Sequence, residues 1–124
     1  MTGALLDTSV LIEPPADLPA TEAAISAMTI AELHKGVLLA DDPDQRAGRL
    51  RRLATVEATF NALAFDHDAA RVFGRYMAEA KRGGHGLAVR DAIIAATAES
   101  RGLHVYTRDG DFRRFGVEVT VLSD

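Results

Sequence analysis

Four acidic residues stand where alternating strands and helices would bring their carboxylates together. Asp7 follows a short apolar run predicted to be a strand, and Asp109 follows another at residues 103–107. Glu32 and Asp91 lie in the predicted first turns of two helices. Ligands of open α/β sheets bind at the carboxyl ends of the strands, so we expect these acids to converge. Converging carboxylates repel one another, and a hard divalent ion such as Mg²⁺ or Mn²⁺ relieves the repulsion.

The elements that must position these acids follow from hydrophobic periodicity and turn residues. Strands are predicted at residues 2–6, 23–27, 62–65, 103–107 and 117–122. Helices are predicted from Val10 to the stop at Pro14-Pro15, around Glu32, at residues 45–61 after Pro43, at 67–82, and from Asp91 to Gly102, with a loop at 16–19. Strands that alternate with helices indicate a three-layer α/β/α fold with a mainly parallel central sheet.

Four segments, LLDTSVLI, MTIAELHKG, RDAIIAATA and YTRDGDF, occur in this order along the chain. Together they resemble the PIN-domain ribonucleases, specifically the VapC-type toxins of bacterial toxin–antitoxin pairs. The resemblance covers essentially the whole chain and implies a single PIN domain over residues 1–124. By this resemblance Asp7, Glu32, Asp91 and Asp109 match the acidic quartet of the family. Asp111 competes for the fourth place, because many members keep the Asp-Phe pair found here as Asp111-Phe112.

The chemistry that fits such a cluster is metal-assisted hydrolysis of RNA phosphodiester bonds. Asp7, Asp91 and Asp109, or Asp111 in place of Asp109, are the expected ligands of one or two Mg²⁺ ions, with Mn²⁺ as a substitute. Glu32 is expected to act through water or to help deprotonate the nucleophile. The remaining candidates are expected to orient the ligands or bind RNA phosphate: Thr8, Ser9, Thr107 and Arg108.

Each acid also has a purely structural alternative. Asp7 could cap the helix that begins near Thr8. Thr29 and Glu32 have the spacing of a capping box. Asp91 could complement a helix dipole, and Asp109 with Gly110 could form an ordinary turn.

Composition limits the remaining possibilities. The 124 residues suffice for one domain, and 48% of them are apolar, as in folded proteins. The chain contains no cysteine, which excludes thiolate metal sites and disulfides. It begins with a predicted strand and has no signal peptide or long uncharged apolar run, so we expect a cytoplasmic protein without a membrane span.

Charge alone does not decide whether RNA is a partner. The net charge is −4, from 14 basic and 18 acidic residues. Without the four candidate ligands the two signs balance, and a bound cation would offset those ligands. Arginines cluster at positions 46 to 52 and at Arg113-Arg114, although a solvated helix face explains the first cluster equally well.

Other chemistries find little support in the sequence. The four histidines show no paired spacing typical of zinc sites, and neither a Gly-x-Ser-x-Gly turn nor a phosphate-binding glycine loop occurs. A module of the same fold that binds RNA or a partner without cleaving remains an alternative, as does a metal-dependent phosphatase of small substrates.

The resemblance implies a cognate antitoxin protein as a second partner, besides RNA. An antitoxin arginine near Asp7 and Asp91 would block the acidic site, because its planar guanidinium bonds carboxylates bidentately. Apolar antitoxin residues are expected to dock around Leu38, Leu39 or Leu53. A homodimer is also expected.

Overall fold

The computed structural model describes residues 3–15 and 22–123. Within them the elements follow in the order β1 (Ala4–Leu6), α1 (Thr8–Ile12), β2 (Ala23–Ser26), α2 (Ala27–Leu38), α3 (Pro43–Thr59), β3 (Asn61–Leu63), α4 (His67–Gly83), α5 (Val89–Glu99), β4 (His104–Thr107), a 3₁₀ helix (Gly110–Arg114) and β5 (Val119–Val121). The predicted loop at 16–19 and the first residue of the predicted strand at 2–6 lie outside the described residues.

The described strands form one sheet in the order β3-β2-β1-β4-β5, with every neighbouring pair parallel. The central strand β1 pairs with β2 on one side and with β4 on the other. The predicted parallel α/β sheet is therefore confirmed. All of these strands end at the same edge, where Asp7 follows β1.

Helices cover both faces of this sheet. Successive residues of β1 point in opposite directions, so that Leu5 joins one apolar cluster and Leu6 the other. The Leu5 cluster lies beneath α4 and α5, and the Leu6 cluster lies beneath α1, α2 and α3. The predicted three-layer arrangement is confirmed.

Helix α5 is the most deeply buried element on the first face. Ala92, Ile94, Ala95, Ala96 and Ala98 are all fully buried. Small side chains let the helix axis approach the sheet closely. Because α5 leads through a short turn into β4, it runs opposite to that strand, and its first turn lies at the edge where the strands end.

The start of α2 differs from the sequence-based expectation. The helix begins at Ala27, because the Ser26 hydroxyl accepts a hydrogen bond from the Met28 amide at 3.0 Å. The capping box predicted as an alternative for Thr29 and Glu32 is therefore wrong. Both residues lie inside the helix, which leaves the Glu32 carboxylate available for other contacts.

The other helix starts follow common capping rules. Asp42 caps α3 with Pro43 as its first residue, and Asp66 caps α4. Helix α5 starts two residues before Asp91 and ends at Glu99, while Gly102 takes a left-handed φ of 68° in the turn that follows. No helix in the described part of the chain has the length and apolarity needed to cross a membrane.

We expect Ile94→Ala to lower the free energy of unfolding by about 2–5 kcal/mol, because it opens a cavity under α5. The exposed Leu50 on α3 provides the matched control. Leu50→Ala should change the same quantity by less than about 0.5 kcal/mol. Urea unfolding followed by circular dichroism measures both, and equal losses would contradict the core assignment.

Candidate active site

Asp7 lies at the carboxyl end of β1, between the sheet and α1. Its amide donates to the Tyr106 carbonyl at 2.9 Å. Its Oδ2 accepts hydrogen bonds from Ser9 Oγ at 2.7 Å and from Thr107 Oγ1 at 2.9 Å. Its Oδ1 is buried and has no hydrogen-bond partner among the described residues. A buried carboxylate oxygen without a partner is energetically costly, so this atom is well placed to receive a cation.

The alternative interpretation of Asp7 as a helix cap is wrong. Asp7 occupies the N-cap position of α1, but its side chain accepts no capping hydrogen bond from the described amides of that helix. The carboxylate is turned instead toward the hydroxyls of Ser9 and Thr107. Both residues, predicted to orient ligands, thus fix the rotamer of Asp7.

Glu32 projects from α2 toward the start of α1. Thr8 Oγ1 donates to Glu32 Oε1 at 2.5 Å, and the hydroxyls of Thr8 and Thr29 lie 2.9 Å apart. Because the single hydroxyl proton of Thr8 goes to Glu32, the proton between the two threonines comes from Thr29. Thr8, a predicted positioning residue, therefore orients Glu32 within a chain of hydrogen bonds.

Asp91 lies in the first turn of α5, where Arg90 ties it to Glu32. Arg90 Nη2 is 2.8 Å from Asp91 Oδ1, and Arg90 Nη1 is 2.6 Å from Glu32 Oε2. The hydrogen bond to Asp91, followed by the charge of Glu32, raises the pKa of Arg90 above its ordinary value. Two of the four candidate acids thus share one guanidinium.

Asp109 and Asp111 follow β4. The Asp109 amide donates to Thr107 Oγ1 at 3.0 Å, and its Oδ1 accepts from the Asp111 amide at 2.9 Å. Asp109 therefore caps the 3₁₀ helix that begins at Gly110, rather than forming the ordinary turn considered as its structural alternative. The Asp111 side chain is 70% exposed, and its carboxylate lies 3.8 Å from Arg114.

Arg108, the predicted contact to RNA phosphate, is anchored beside α1. Its amide donates to Ser9 Oγ at 3.1 Å, and its Nε donates to the Glu13 carbonyl at 2.7 Å. The backbone bond connects the end of β4 to the hydroxyl that also holds Asp7.

A cavity of about 660 Å³ opens in front of these residues. Its charged lining includes three carboxylates and three cations: Asp7, Glu32, Asp109, Lys35, Arg49 and Arg90. Apolar side chains complete the wall, among them Ile12, Met28, Ala31 and Leu39. Asp91 joins this group through its ion pair with Arg90. The cavity therefore offers both the ligands of a cation and the partners of an anion.

The donor set suits a hard divalent ion, because every candidate ligand supplies carboxylate oxygens. Within residues 3–15 and 22–123, no three acidic or histidine side chains are grouped closely enough to hold an ion as they stand. Glu32 and Asp91 are instead both paired with the guanidinium of Arg90. The unpartnered Oδ1 of Asp7 is the atom that fits an ion most directly.

The sequence-based reasoning missed several residues of this cavity. Lys35 and Arg49 line it from α2 and α3, and Arg90 lies between two of the acids. Arg90 did leave a signal in the sequence. A cation in the first turn of a helix opposes the helix dipole, so an additional carboxylate partner is expected for it.

The comparisons with known proteins identify the family of this chain. The PIN domain family model matches residues 4–118. The chain is 40% identical to ribonuclease VapC5 of Mycobacterium tuberculosis, an alignment that covers 87% of this chain and 84% of the relative. It is 33% identical to toxin FitB of Neisseria gonorrhoeae, with 96% of each chain covered.

A solved structure shows the same fold. In the crystal structure of VapBC-5 from Mycobacterium tuberculosis, described as a member of the VapBC family of toxin–antitoxin systems, the matching chain has a TM-score of 0.87 and 37% identity. The match covers 98% of this chain and all of that one. The resemblance noted in the four sequence segments is thereby confirmed, and this chain belongs to the PIN-domain family, where it groups with the VapC-type proteins.

Proposed function

We propose that this chain is a Mg²⁺-dependent endoribonuclease, able to use Mn²⁺, and the toxin of a toxin–antitoxin pair. Membership of the PIN-domain family and similarity to proteins named as a ribonuclease and a toxin support this proposal. Residues 1–124 would act as one domain in the cytoplasm, where cellular RNA is available.

The observation that carries the proposal is the Asp7 carboxylate. This side chain is 2% exposed and ionisable, and two hydroxyls fix one of its oxygens while the other has no partner among the described residues. Burial of such a group costs stability, and a merely structural role would have satisfied both oxygens. A cation ligand explains the arrangement.

The residue roles follow from their positions around the cavity. Asp7, Asp91 and Asp109 would hold the ion, with Asp111 as the competitor of Asp109. A bound divalent ion would make a water molecule more acidic and stabilise the leaving 3′ oxygen. Glu32, oriented by Thr8, would accept a proton from the attacking water.

The basic residues of the cavity would bind the RNA backbone. Lys35 and Arg49 line the same space as the acids, and Arg49 Nη1 is fixed by a 2.7 Å hydrogen bond to the Gly36 carbonyl. A phosphodiester that reaches the acids from this side would meet positive charge first. Arg108, anchored near α1, remains the proposed phosphate contact beside β4.

The proposed antitoxin would cover exposed apolar surface on α2 and α3. Leu38, Leu39 and Leu50 are each more than half exposed. Leu53, predicted as part of the same surface, is buried in the core instead, so that part of the prediction is wrong. An antitoxin arginine near Asp7 and Asp91 would then block the acids. A homodimer stays a separate proposal.

We expect the purified chain to cleave RNA only with Mg²⁺ or Mn²⁺ and to leave 5′ phosphate and 3′ hydroxyl ends, because water is the nucleophile. Gel analysis of end-labelled RNA, with and without EDTA, measures both properties. Cleavage that survives EDTA, or 2′,3′-cyclic products, would contradict the mechanism. A chain that binds RNA but never cleaves it would favour the non-cleaving module.

We expect Asp7→Asn to reduce the cleavage rate by about 100-fold or more, because a ligand charge is lost. The asparagine oxygen can keep the hydrogen bonds from Ser9 and Thr107, so the melting temperature should stay within a few degrees. Asp42→Asn is the matched control, since Asp42 only caps α3 and asparagine caps equally well. Equal rates for the two variants would contradict the role of Asp7.

Asp109→Asn and Asp111→Asn separate the two candidates for the fourth acid. We expect the larger loss of cleavage for Asp109→Asn, because Asp109 lines the cavity with Asp7. The same labelled-RNA assay measures both variants. A larger loss for Asp111→Asn would assign the fourth place to Asp111.

We expect expression of this chain alone to arrest bacterial growth, and co-expression of its cognate antitoxin to restore growth. Leu50→Glu should weaken that protection and the affinity measured by calorimetry, because a charge enters the apolar docking surface. Met77→Glu, an exposed position on α4, is the matched control. A soluble chain that is harmless at high expression would contradict the toxin assignment.

A further inference from the structure

Arg90 lies between two acids of the candidate site, the proposed metal ligand Asp91 and the proposed base Glu32. Its Nη1 lies 2.6 Å from Glu32 Oε2, and its Nη2 and Nε lie 2.8 and 3.2 Å from Asp91 Oδ1. The two carboxylates come from different helices, α2 and α5. One guanidinium therefore sets their separation.

The cation covers the carboxylates from the solvent side. The Arg90 side chain is 53% exposed, whereas those of Glu32 and Asp91 are 15% and 10% exposed. The guanidinium can therefore move away without unpacking the core. The helix itself does not explain its position, because a cation in the first turn of α5 opposes the helix dipole.

We infer that Arg90 is a built-in counter-cation of the acidic site, which neutralises Glu32 and Asp91 while no ion is bound and is displaced when a divalent ion binds. This inference rests on the proposed function. Without Arg90, the empty carboxylates would repel one another. With Arg90 in place, an incoming ion must compete against two charge-assisted hydrogen bonds to Asp91 Oδ1 and an ion pair to Glu32.

The consequence is a direct competition between Arg90 and the ion. If Arg90 only organised the two acids for the metal, its removal would weaken metal binding. If Arg90 competes with the metal, its removal must strengthen metal binding. The two roles therefore predict opposite signs.

Calorimetric titration of the full chain with Mn²⁺, without RNA, measures this sign. We expect Arg90→Gln to lower the Kd for Mn²⁺ by about three- to tenfold, a range set by the modest strength of partly exposed ion pairs. The increase in melting temperature on adding Mn²⁺ should also be larger for Arg90→Gln than for the natural chain.

Arg49→Gln is the matched control. It removes the same charge from the same cavity, but the Arg49 hydrogen bond is to the Gly36 carbonyl rather than to an acid. Its Kd for Mn²⁺ should change by less than about twofold. If Arg49→Gln lowered the Kd for Mn²⁺ as much as Arg90→Gln does, the loss of net charge would explain both changes. That result would overturn the inference.

Arg90→Lys provides a second variant in case Arg90→Gln does not fold. It keeps the charge but loses the forked contact, so we expect a smaller tightening in the same direction. If the natural chain bound Mn²⁺ and the folded variants bound it equally or more weakly, the inference about Arg90 would be overturned. The proposed function would still stand. If neither the natural chain nor the variants bound Mn²⁺, the proposed function would fail with it.

Discussion

The parallel pairing of β1 with β4 is the interaction on which the candidate site depends. It joins segments about 100 residues apart and places Thr107 within 2.9 Å of the Asp7 carboxylate. Ser9 then holds both Asp7 Oδ2 and the Arg108 amide, so the same hydroxyl links α1 to the end of β4. The position of the Asp7 carboxylate therefore follows from the pairing of β1 with β4. Burial of the apolar side chains on both faces of β1 stabilises the same pairing.

Much of the fold was predictable because its signals are redundant. The strands are short segments that carry apolar residues, and acidic caps mark the starts of α3 and α4. The start of α2 was less predictable, since Ser26 and Thr29 both suit an N-cap and only the packed structure selects Ser26. This difference of three residues decides whether the Glu32 carboxylate bonds a backbone amide at the helix start or lines the cavity.

The candidate acids could be identified from sequence because their places follow from the fold. The contacts of these acids could not be identified from sequence, because the contacts depend on side-chain directions that no local sequence pattern encodes. Arg90 is the clearest case. Its neighbour Asp91 is adjacent in sequence, but Glu32 lies 58 positions away and reaches the same guanidinium only when α2 and α5 pack at one edge of the sheet.

The local charge balance of the cavity explains why a net charge of −4 does not exclude an RNA substrate. Three carboxylates and three cations line the same space, so the cavity itself is nearly neutral before any ion binds. A divalent ion would make it net positive, and displacement of Arg90 from its two acids would expose a further cation to the substrate. The affinity for a phosphodiester would then increase with metal occupancy. In such a site the acids set the affinity for the metal, and the metal in turn sets the affinity for RNA.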